Sequence, residues 1–454
     1  MGITREQLVA AFEEAGTPLW VVGGALRDEL LGVPGHDEDF ATAANPDEIE
    51  AISRSTGAHT TAVGKQWGTI GVLADGTWRE ITTFRGDQYT AGSRWPEVTF
   101  AERLEDDLAR RDFTINAFAR PASGGELVDL FGGMDDLAAQ RIRAVGDPAR
   151  RFREDPLRIL RGLRFVSQLD FEIDPATLAG MAETASLLAT LSKERVAAEL
   201  DRLLSGIAPA RALSLAAECG ALAVILPELD GMAGCEQNHF HRFDVWGHTL
   251  ATVEAIDSGL AEERSRRRWT ALLHDVGKPA VRHTKPNGEW GFYRHETVGA
   301  ELAEALLDRL SIGQAEARAI VHLIRRHMDR PDPAEARSVR RFMKKCELHG
   351  RHLWPDLIAL KRADNASHTY VDDEYHDALQ AACERIAREE ADRLRAESPL
   401  TGDDLVALTG RKPGPWIRPI KEQLSAMVLD GDLAPGDKAA AMAAIKDMGS
   451  ARTD

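Results

Sequence analysis

The chain has 454 residues, which exceeds one ordinary hydrophobic core and indicates two to four domains. Its formal net charge of −17 excludes a protein that coats nucleic acid non-specifically, although a local basic face can still contact phosphate. No run approaches the roughly 18 apolar residues of a membrane span, and the segment MGITREQLVAAFEEAG lacks the basic-then-apolar pattern of a secretory signal. The four cysteines stand far apart, so we expect reduced thiols, a cytoplasmic location and no membrane partner.

Two kinds of periodicity divide the chain. Residues 1–146 contain short β-rich runs such as LWVVGG, TIGVLADG and WREITTF, each closed by glycine or charge. From Asp147 onward, apolar residues recur at helical spacing, as in PLRILRGLRFVSQL and HETVGAELAEALLDRL. We therefore predict an α+β fold: a head with a small mixed β-sheet and helices, followed by an elongated all-α body. Breaks are expected near residues 146–148, 227–234 and 397–402.

The first motif lies in VVGGALRDELLGVPGHDEDFAT. A strand is predicted to end at Val22, and the Gly23-Gly24 turn opens a helix in which backbone N–H groups can approach a phosphate. Arg27 can pair with that phosphate or with a neighbouring acid. If Asp37 and Asp39 lie on a strand, their side chains share one face and form an oxygen site suited to Mg²⁺.

The second motif is Arg110-Arg111-Asp112-Phe113-Thr114-Ile115-Asn116. Asp112 and Asn116 can hydrogen-bond sugar hydroxyls, and Arg111 can contact phosphate or hold Asp112 in place. The other interpretation of the motif is a helix N-cap with a salt bridge.

The third motif begins Glu154-Asp155-Pro156-Leu157-Arg158 and continues to Arg161. Asp155 and Arg158 are three residues apart, so a helix would make them neighbours on one face. Together they offer an acceptor and several donors, which suffices to contact the Watson–Crick edge of a nucleotide. The other interpretation is a surface salt bridge.

In this order and spacing, the three motifs resemble those of the class II tRNA nucleotidyltransferase and bacterial poly(A) polymerase family, over roughly residues 18–205. The resemblance implies catalysis by Asp37 and Asp39 with Mg²⁺, CTP and ATP as substrates, and tRNA rather than DNA as partner. Glu80, on the strand WREITTF, is the candidate for a supplementary acid, and the alternative is a surface glutamate on an edge strand. The resemblance also implies nucleotide contacts by Gly23, Gly24, Arg27, Arg111, Asp112, Asn116, Glu154, Asp155, Arg158 and Arg161.

One stretch departs from the family pattern. Members that build complete CCA often carry a loop of the form Tyr-x-Asp-x-Arg-Arg-Pro, whereas this chain has Tyr89-Thr90-Ala91-Gly92-Ser93-Arg94-Trp95-Pro96. The loop keeps its length, which argues against an enzyme restricted to CC addition. Its aspartate is missing, which leaves open whether the product is CC, a terminal A or full CCA.

A second constellation follows in the body. His248, the doublet His274-Asp275 and Asp364 resemble the H…HD…D order of the HD superfamily of metal-dependent phosphohydrolases. His295 and His327 fall where some members carry further ligands. Imidazole and carboxylate groups from separate helices can hold Mg²⁺ or a divalent transition metal and lower the pKa of a bound water, and Lys278 can contact a phosphate.

The resemblances name the four segments: nucleotidyltransferase head (1–146), RNA- and nucleotide-binding helical neck (147–234), HD domain (235–370) and helical tail (371–454). The tail contains GRKPGPW, which breaks one helix and starts another. The main hypothesis is a tRNA nucleotidyltransferase that adds CCA or its terminal A. The alternatives are a poly(A) polymerase, a CC- or A-adding specialist, and an HD phosphohydrolase with an RNA-binding head. The sequence leaves the oligomeric state undetermined.

Overall fold

A computed structural model of the protein describes residues 2–33, 38–88, 97–238, 241–256, 259, 261–369, 371–395 and 397–450. The chain forms two compact units, one of residues 1–327 and 359–371 and one of residues 328–358 and 372–454. Within the described ranges, no helix combines the length and apolarity that crossing a membrane requires.

The first unit begins with a mixed seven-stranded sheet in the order β3-β4-β5-β2-β1-β8-β9. Strand β2 runs parallel to β5, and the other neighbours in the sheet are antiparallel. A separate hairpin joins β6 to β7. The strands are β1 (Trp20–Val22), β2 (Asp39–Thr42), β3 (Thr60–Thr61), β4 (Thr69–Ala74), β5 (Thr77–Thr83), β6 (Arg85–Gln88), β7 (Glu97–Phe100), β8 (Phe118–Pro121) and β9 (Val128–Asp129).

The sheet forms because alternate residues are apolar. In β4, Ile70, Val72 and Ala74 are buried while the residues between them are partly exposed, as a half-buried strand requires. Five helices accompany the sheet: α1 (Arg5–Glu14), α2 (Gly24–Leu30), α3 (Pro46–Ser55), α4 (Leu104–Ala109) and α5 (Gly133–Ala138).

The neck is helical, as expected. Short strands β10 (Arg141–Ile142) and β11 (Glu172–Ile173) pair in parallel and join it to the head. Its helices are α6 (Pro148–Glu154), α7 (Leu157–Leu169), α8 (Pro175–Thr184), α9 (Lys193–Leu204), α10 (Pro209–Glu218) and α11 (Ala221–Ile225). Helix α7 buries Ile159, Leu160 and Leu163 on one face, which is the helical spacing seen in the sequence.

The remaining helices of the first unit are α12 (Val245–Ala255), α13 (Ala261–Leu273), α14 (Lys278–Val281), α15 (His295–Arg309) and α16 (Gln314–Arg326), with a hairpin of β12 (His283–Thr284) and β13 (Trp290–Gly291). The second unit contains α17 (Ala336–Lys345) and a hairpin of β14 (Glu347–Leu348) and β15 (Arg351–His352). Helix α18 (Trp354–Ala366) leads back to the first unit, and α19 (Asp373–Arg395), α20 (Gly402–Thr409), α21 (Ile417–Leu429) and α22 (Lys438–Ser450) complete the second. The predicted α+β head followed by a helical body is confirmed.

Candidate active site and candidate metal centre

The glycine turn follows strand β1 directly, as predicted. Gly23 has φ +79°, and helix α2 begins at Gly24. A Cβ atom at Gly23 would lie 2.8 Å from Nη1 of Arg111, and one at Gly24 would lie 3.5 Å from Nη2 of Arg27. Glycine at position 23 therefore allows both the positive φ and the close approach of a guanidinium group.

Asp39 lies at the same end of the strands as the glycine turn, because it pairs with Val22, the last residue of β1. Strand β2 pairs with β5 from Phe40 and Ile81 onward. Asp39 and Glu80 each come one residue before this first pair, at the same end of the two strands. Both side chains are exposed and, by strand alternation, share one face. The alternative that Glu80 lies on an edge strand is wrong, since β5 lies between β4 and β2. Asp37 and the loop from Tyr89 to Pro96 lie outside the described residues.

The RRDxxxN motif forms a buried network around Asp112, which is 6% exposed. Its carboxylate accepts hydrogen bonds from the Phe113 amide at 2.8 Å, from Asn116 Nδ2 at 3.1 Å and from Arg161 Nε at 2.7 Å. Burial alone would raise the pKa of the Asp112 carboxyl, but the Arg161 charge and these hydrogen bonds outweigh it and hold that pKa well below its usual range. Asp112 is therefore a fixed anion.

Arg27 connects this network to the glycine turn. Its Nη1 donates to Asn116 Oδ1 at 2.8 Å, and its Nε donates to Asp28 Oδ1 at 2.8 Å. Arg111 donates to Asp107 Oδ2 at 3.1 Å and to the backbone carbonyl of Asn116 at 3.3 Å. The first and second motifs thus form one hydrogen-bonded surface beside the sheet edge.

The third motif differs from the expected geometry. The single helix predicted through Asp155 and Arg158 is interrupted, because Asp155 is extended at the end of α6 and α7 begins at Leu157. Asp155 Oδ1 accepts from the Leu157 amide at 3.1 Å, and its other oxygen lies 3.2 Å from Arg195 Nη2. Arg158 instead donates to Glu154 Oε2 at 3.1 Å and to the Arg110 carbonyl at 2.8 Å. The continuous helix predicted through Asp155 and Arg158 is therefore wrong, and the two side chains take different partners, while Arg158 and Arg161 both join the third motif to the second.

The six ligand candidates of the body converge in the first unit. They form two groups whose ligand atoms lie within 4.8 Å of one another, namely His248, His274 and Asp364, and Asp275, His295 and His327. Asp275 faces both groups, with Oδ2 3.2 Å from His274 Nε2 and Oδ1 3.4 Å from His295 Nε2. One carboxylate is thus placed to bridge two ions.

Backbone carbonyls orient the imidazoles. His274 Nδ1 lies 2.7 Å from the Ala271 carbonyl. His295 Nδ1 lies 2.8 Å from the Phe292 carbonyl, and His327 Nδ1 lies 2.7 Å from the Ile324 carbonyl. Each Nδ1 of a neutral ring must then carry the proton, so each Nε2 presents a lone pair inward.

The inward nitrogens face one another. The Nε2 atoms of His295 and His327 lie 3.0 Å apart, and those of His248 and His274 lie 3.3 Å apart. Two lone pairs at this distance need a positive centre between them. Ligands roughly 2.0–2.1 Å from one ion and at right angles lie about 3.0 Å apart, so the donor set fits divalent metal ions.

The ionisation states favour a cation. Burial, with the charges of His274 and His295, lowers the pKa of His327 to about 3. Burial also lowers the pKa of His248, although Asp364 and Asp275 oppose it. Burial would raise the pKa of both carboxyls, Asp275 and Asp364, but the neighbouring histidines outweigh it and hold both well below the usual range. His274 differs, since its acidic neighbours overcome burial and raise its pKa.

Lys278 lies at the same centre. Its Nζ is 2.6 Å from Asp275 Oδ2 and donates to Gln237 Oε1 at 2.6 Å. The ammonium group also lies 5.6 Å from the centre of the Phe292 ring. The position fits a group that contacts a phosphate bound at the metal centre.

Two histidines at this centre were not assigned from the sequence. His241 and His368 form a third group with His248, and His368 Nε2 lies 3.4 Å from Asp364 Oδ1. His241 precedes helix α12 and so lies outside its helical pattern. The spacing of four residues between Asp364 and His368 was the available signal, since such residues share a helix face.

Three family models match separate parts of the chain. The Poly A polymerase head domain matches residues 19–143, and a probable RNA- and SrmB-binding site of polymerase A matches residues 170–232. The HD domain matches residues 245–368.

Curated relatives match about half of the chain. The CCA-adding enzyme of Lacticaseibacillus paracasei is 48% identical over 201 residues, which are 44% of this chain and 49% of that protein. The CCA-adding enzyme of Bacillus licheniformis is 47% identical over 225 residues, 49% of this chain and 55% of that protein. The chain thus spans about half the length of the curated relatives that it matches.

Solved structures match nearly the whole chain. The Bacillus stearothermophilus CCA-adding enzyme in complex with CTP has a TM-score of 0.62 and 27% identity, covering 98% of this chain and 96% of that one. The Thermotoga maritima CCA-adding enzyme complexed with tRNA has a TM-score of 0.56 at 21% identity, covering 98% and 94%, which shows a shared fold.

The three models match, in chain order, a head domain of the Poly A polymerase type, a probable RNA- and SrmB-binding site and an HD domain. The chain is similar in sequence to CCA-adding enzymes over about half of its length and similar in fold to one of them over nearly its whole length.

Proposed function

We propose that the protein is a tRNA nucleotidyltransferase that adds CCA, or its terminal A, to tRNA 3′ ends from CTP and ATP without a nucleic-acid template. The observation that carries the proposal is the network that joins Gly23, Arg27, Arg111, Asp112 and Asn116 beside Asp39. These residues lie within residues 19–143, which match the Poly A polymerase head domain.

In this proposal, each part of the head has one task. The N–H groups of the Gly23-Gly24 turn and the guanidinium of Arg111 hold the triphosphate. Asp112 and Asn116 accept and donate hydrogen bonds at the ribose hydroxyls, which favours ribonucleotides. Because the Asp112 carboxyl is already ionised, it can accept a hydrogen bond from a ribose hydroxyl without first losing a proton.

Asp37 and Asp39 would hold Mg²⁺, which supplies activation of the attacking 3′ hydroxyl and stabilisation of the pyrophosphate when bound. The exposed Asp39 at the sheet edge, with Glu80 on the same face, fits a hard-oxygen site.

The neck would identify the incoming base. We assign base contacts to Asp155 and Arg158, with Glu154 and Arg161 as their supports. Because Asp155 is paired with Arg195 and is 29% exposed, it can exchange this partner for the exocyclic amino group of cytosine or adenine. Arg158 is held by Glu154 and Arg110, which fixes the direction of its donors.

We propose a phosphohydrolase activity for the HD domain as a second function, carried by the convergence of His248, His274, Asp275, His295, His327 and Asp364. These residues would hold two divalent ions, Mg²⁺ or a transition metal, which lower the pKa of a bound water. Asp275 would bridge the ions, and Lys278 would contact the substrate phosphate.

We further propose the division into head (1–146), neck (147–234), HD domain (235–370) and tail (371–454). The four cysteines are buried free thiols, which agrees with our proposal of a cytoplasmic location.

Three tRNA transcripts test the main function: one ending before CCA, one after C and one after CC. Each is incubated with Mg²⁺ and CTP, ATP or both, and products are resolved at single-nucleotide length. Three additions to the shortest transcript are expected. Addition of A to the CC-ended transcript alone identifies an A-adding specialist, and long adenosine ladders identify a poly(A) polymerase. Failure to extend any transcript would contradict the proposal.

A further inference from the structure

Helix α17 (Ala336–Lys345) has two opposite faces. Val339, Phe342 and Met343 are buried, and they follow helical spacing. The basic residues follow a second line at i, i+3, i+4, i+7 and i+8, and all of them are exposed: Arg337, Arg340, Arg341, Lys344 and Lys345. These five residues are called the basic stripe below. Between its ends the stripe is roughly 12 Å long, since a helix rises 1.5 Å per residue.

Much of this charge is not neutralised locally. Arg340 pairs with Glu389 of helix α19, with 3.3 Å between their atoms. Within the described ranges, Arg337, Arg341 and Lys344 form no ion pair with an acid. This local concentration of positive charge contrasts with the net charge of −17 of the whole chain. In a chain with such an excess of acids, basic side chains are expected to pair with acidic ones by default.

The hairpin that follows extends the basic surface. His349, Arg351 and His352 are exposed next to the end of α17. Residues 336–352 are all described, and none of the large apolar side chains among them is exposed. A helix that inserts into a membrane surface needs exposed apolar anchors beside its basic residues, and this surface lacks them. It offers charge alone, which fits a rigid row of phosphates.

We propose that the basic stripe of α17 docks the sugar–phosphate backbone of the tRNA substrate. This inference rests on the proposed function and adds an RNA contact within the second unit of the chain. The contact is electrostatic and independent of base sequence, because guanidinium and ammonium groups reach phosphate oxygens without touching base edges. It strengthens tRNA binding and leaves nucleotide selection unchanged.

The test measures tRNA affinity at several salt concentrations, by filter binding, with the full-length protein. Arg337→Gln, Arg341→Gln and Lys344→Gln are combined in one variant. We expect affinity at 50 mM salt to fall on the order of 10- to 100-fold, and the slope of log K against log salt to become shallower by about 2 to 3. The KM for CTP should stay unchanged at saturating tRNA.

Two control variants accompany this one. The first combines Arg385→Gln, Arg388→Gln and Lys438→Gln, which also takes the formal charge from −17 to −20 but leaves the stripe intact, and it should bind like the wild type. The second replaces the three stripe residues by Arg337→Lys, Arg341→Lys and Lys344→Arg, and it should restore affinity because the charge is kept. Unfolding midpoints of all variants report on folding.

The outcomes separate the two proposals. Wild-type affinity and slope in the stripe variant would overturn the docking surface, while nucleotide addition by the wild type would still support the proposed function. Equal losses in the stripe variant and the first control would reduce the effect to net charge and overturn the site. A wild type that neither binds nor extends tRNA would overturn both. Loss of binding to anionic phosphatidylserine vesicles instead of tRNA would reject RNA as the partner.

Discussion

The head and the HD centre organise charge in opposite ways. In the head, Arg161 lies against Asp112 and Arg27 against Asp28, each at hydrogen-bond distance. In the HD centre, imidazole nitrogens face one another at 3.0 and 3.3 Å around two buried carboxylates. The Asp112 network of the head is therefore paired by the chain's own charges, while the HD centre is electrostatically complete only with a cation.

Because of this difference, the two sites should respond differently to mutation, metal supply and pH. A network of paired side chains loses its geometry when one partner is removed, because the other charge is then left buried. A cluster of neutral imidazoles and carboxylates responds to metal supply and to protons instead, because both compete for the same lone pairs. The predictions below test this contrast.

The largest effect is expected from Asp112→Ala in the head. Removing one partner of a buried pair costs about 3–5 kcal/mol, and since Arg161 is 34% exposed, we expect about 3 kcal/mol. Urea unfolding measures it. Discrimination between ribo- and deoxynucleotides should also narrow. Asp135→Ala, at an exposed acid of helix α5, is the matched control and should change neither quantity.

Chelation should lower the stability of the HD centre and leave the Asp112 network of the head unchanged. An ion present at about 100 times its Kd stabilises the folded state by about 2.7 kcal/mol, so EDTA should lower the unfolding midpoint of wild-type protein. In His295→Ala this difference should shrink, whereas His283→Ala, at an exposed histidine, should retain it. A midpoint unaffected by EDTA after full metal loading would argue against a metal-completed centre.

Acid should destabilise the metal-free HD centre. The folded-state pKa of His327 is about 3 against an ordinary value of 6.5, so its contribution is present above pH 6.5 and is lost as pH falls toward 3. The loss is at most about 1.4 kcal/mol per pH unit. His327→Gln should flatten the dependence between pH 6.5 and 5, measured by urea unfolding. A steeper dependence in the variant would contradict the assigned direction.

The smallest effect is expected when each of the two glycines of the turn is replaced by alanine. Gly23→Ala forces a Cβ to 2.8 Å from Arg111 at φ +79°, and the backbone cost alone is about 1–2 kcal/mol. Gly24→Ala meets Arg27 at 3.5 Å without a positive φ and should be nearly neutral in stability. The KM for CTP, measured on the CCA-lacking transcript, should rise more in Gly23→Ala. Equal values would remove the special role of position 23.

Local patterns predicted the parts that depend on near neighbours. The glycine turn after β1 and the helical neck were expected because turn chemistry and helical spacing are visible within a few residues. The ligand set from His248 to Asp364 was expected from its resemblance to the HD superfamily.

Long-range contacts were not predictable in this way. The pairing of Asp112 with Arg161 joins residues 49 positions apart, and the interior place of β5 depends on the parallel pairing with β2. At the helix break, Asp155 is extended directly before Pro156 and accepts a hydrogen bond from the Leu157 amide. Both features compete with the continuous helix that the spacing favoured. His241 joins the HD centre only through tertiary packing against His368.

One measurement tests the separation of the two sites directly. Asp39→Asn and His274→Ala proteins are each given CCA-lacking tRNA with CTP and ATP, and a 2′,3′-cyclic mononucleotide, with both reactions followed together. We predict that Asp39→Asn abolishes nucleotide addition and keeps hydrolysis, and that His274→Ala does the reverse. Loss of both activities in either folded variant would contradict two independent sites.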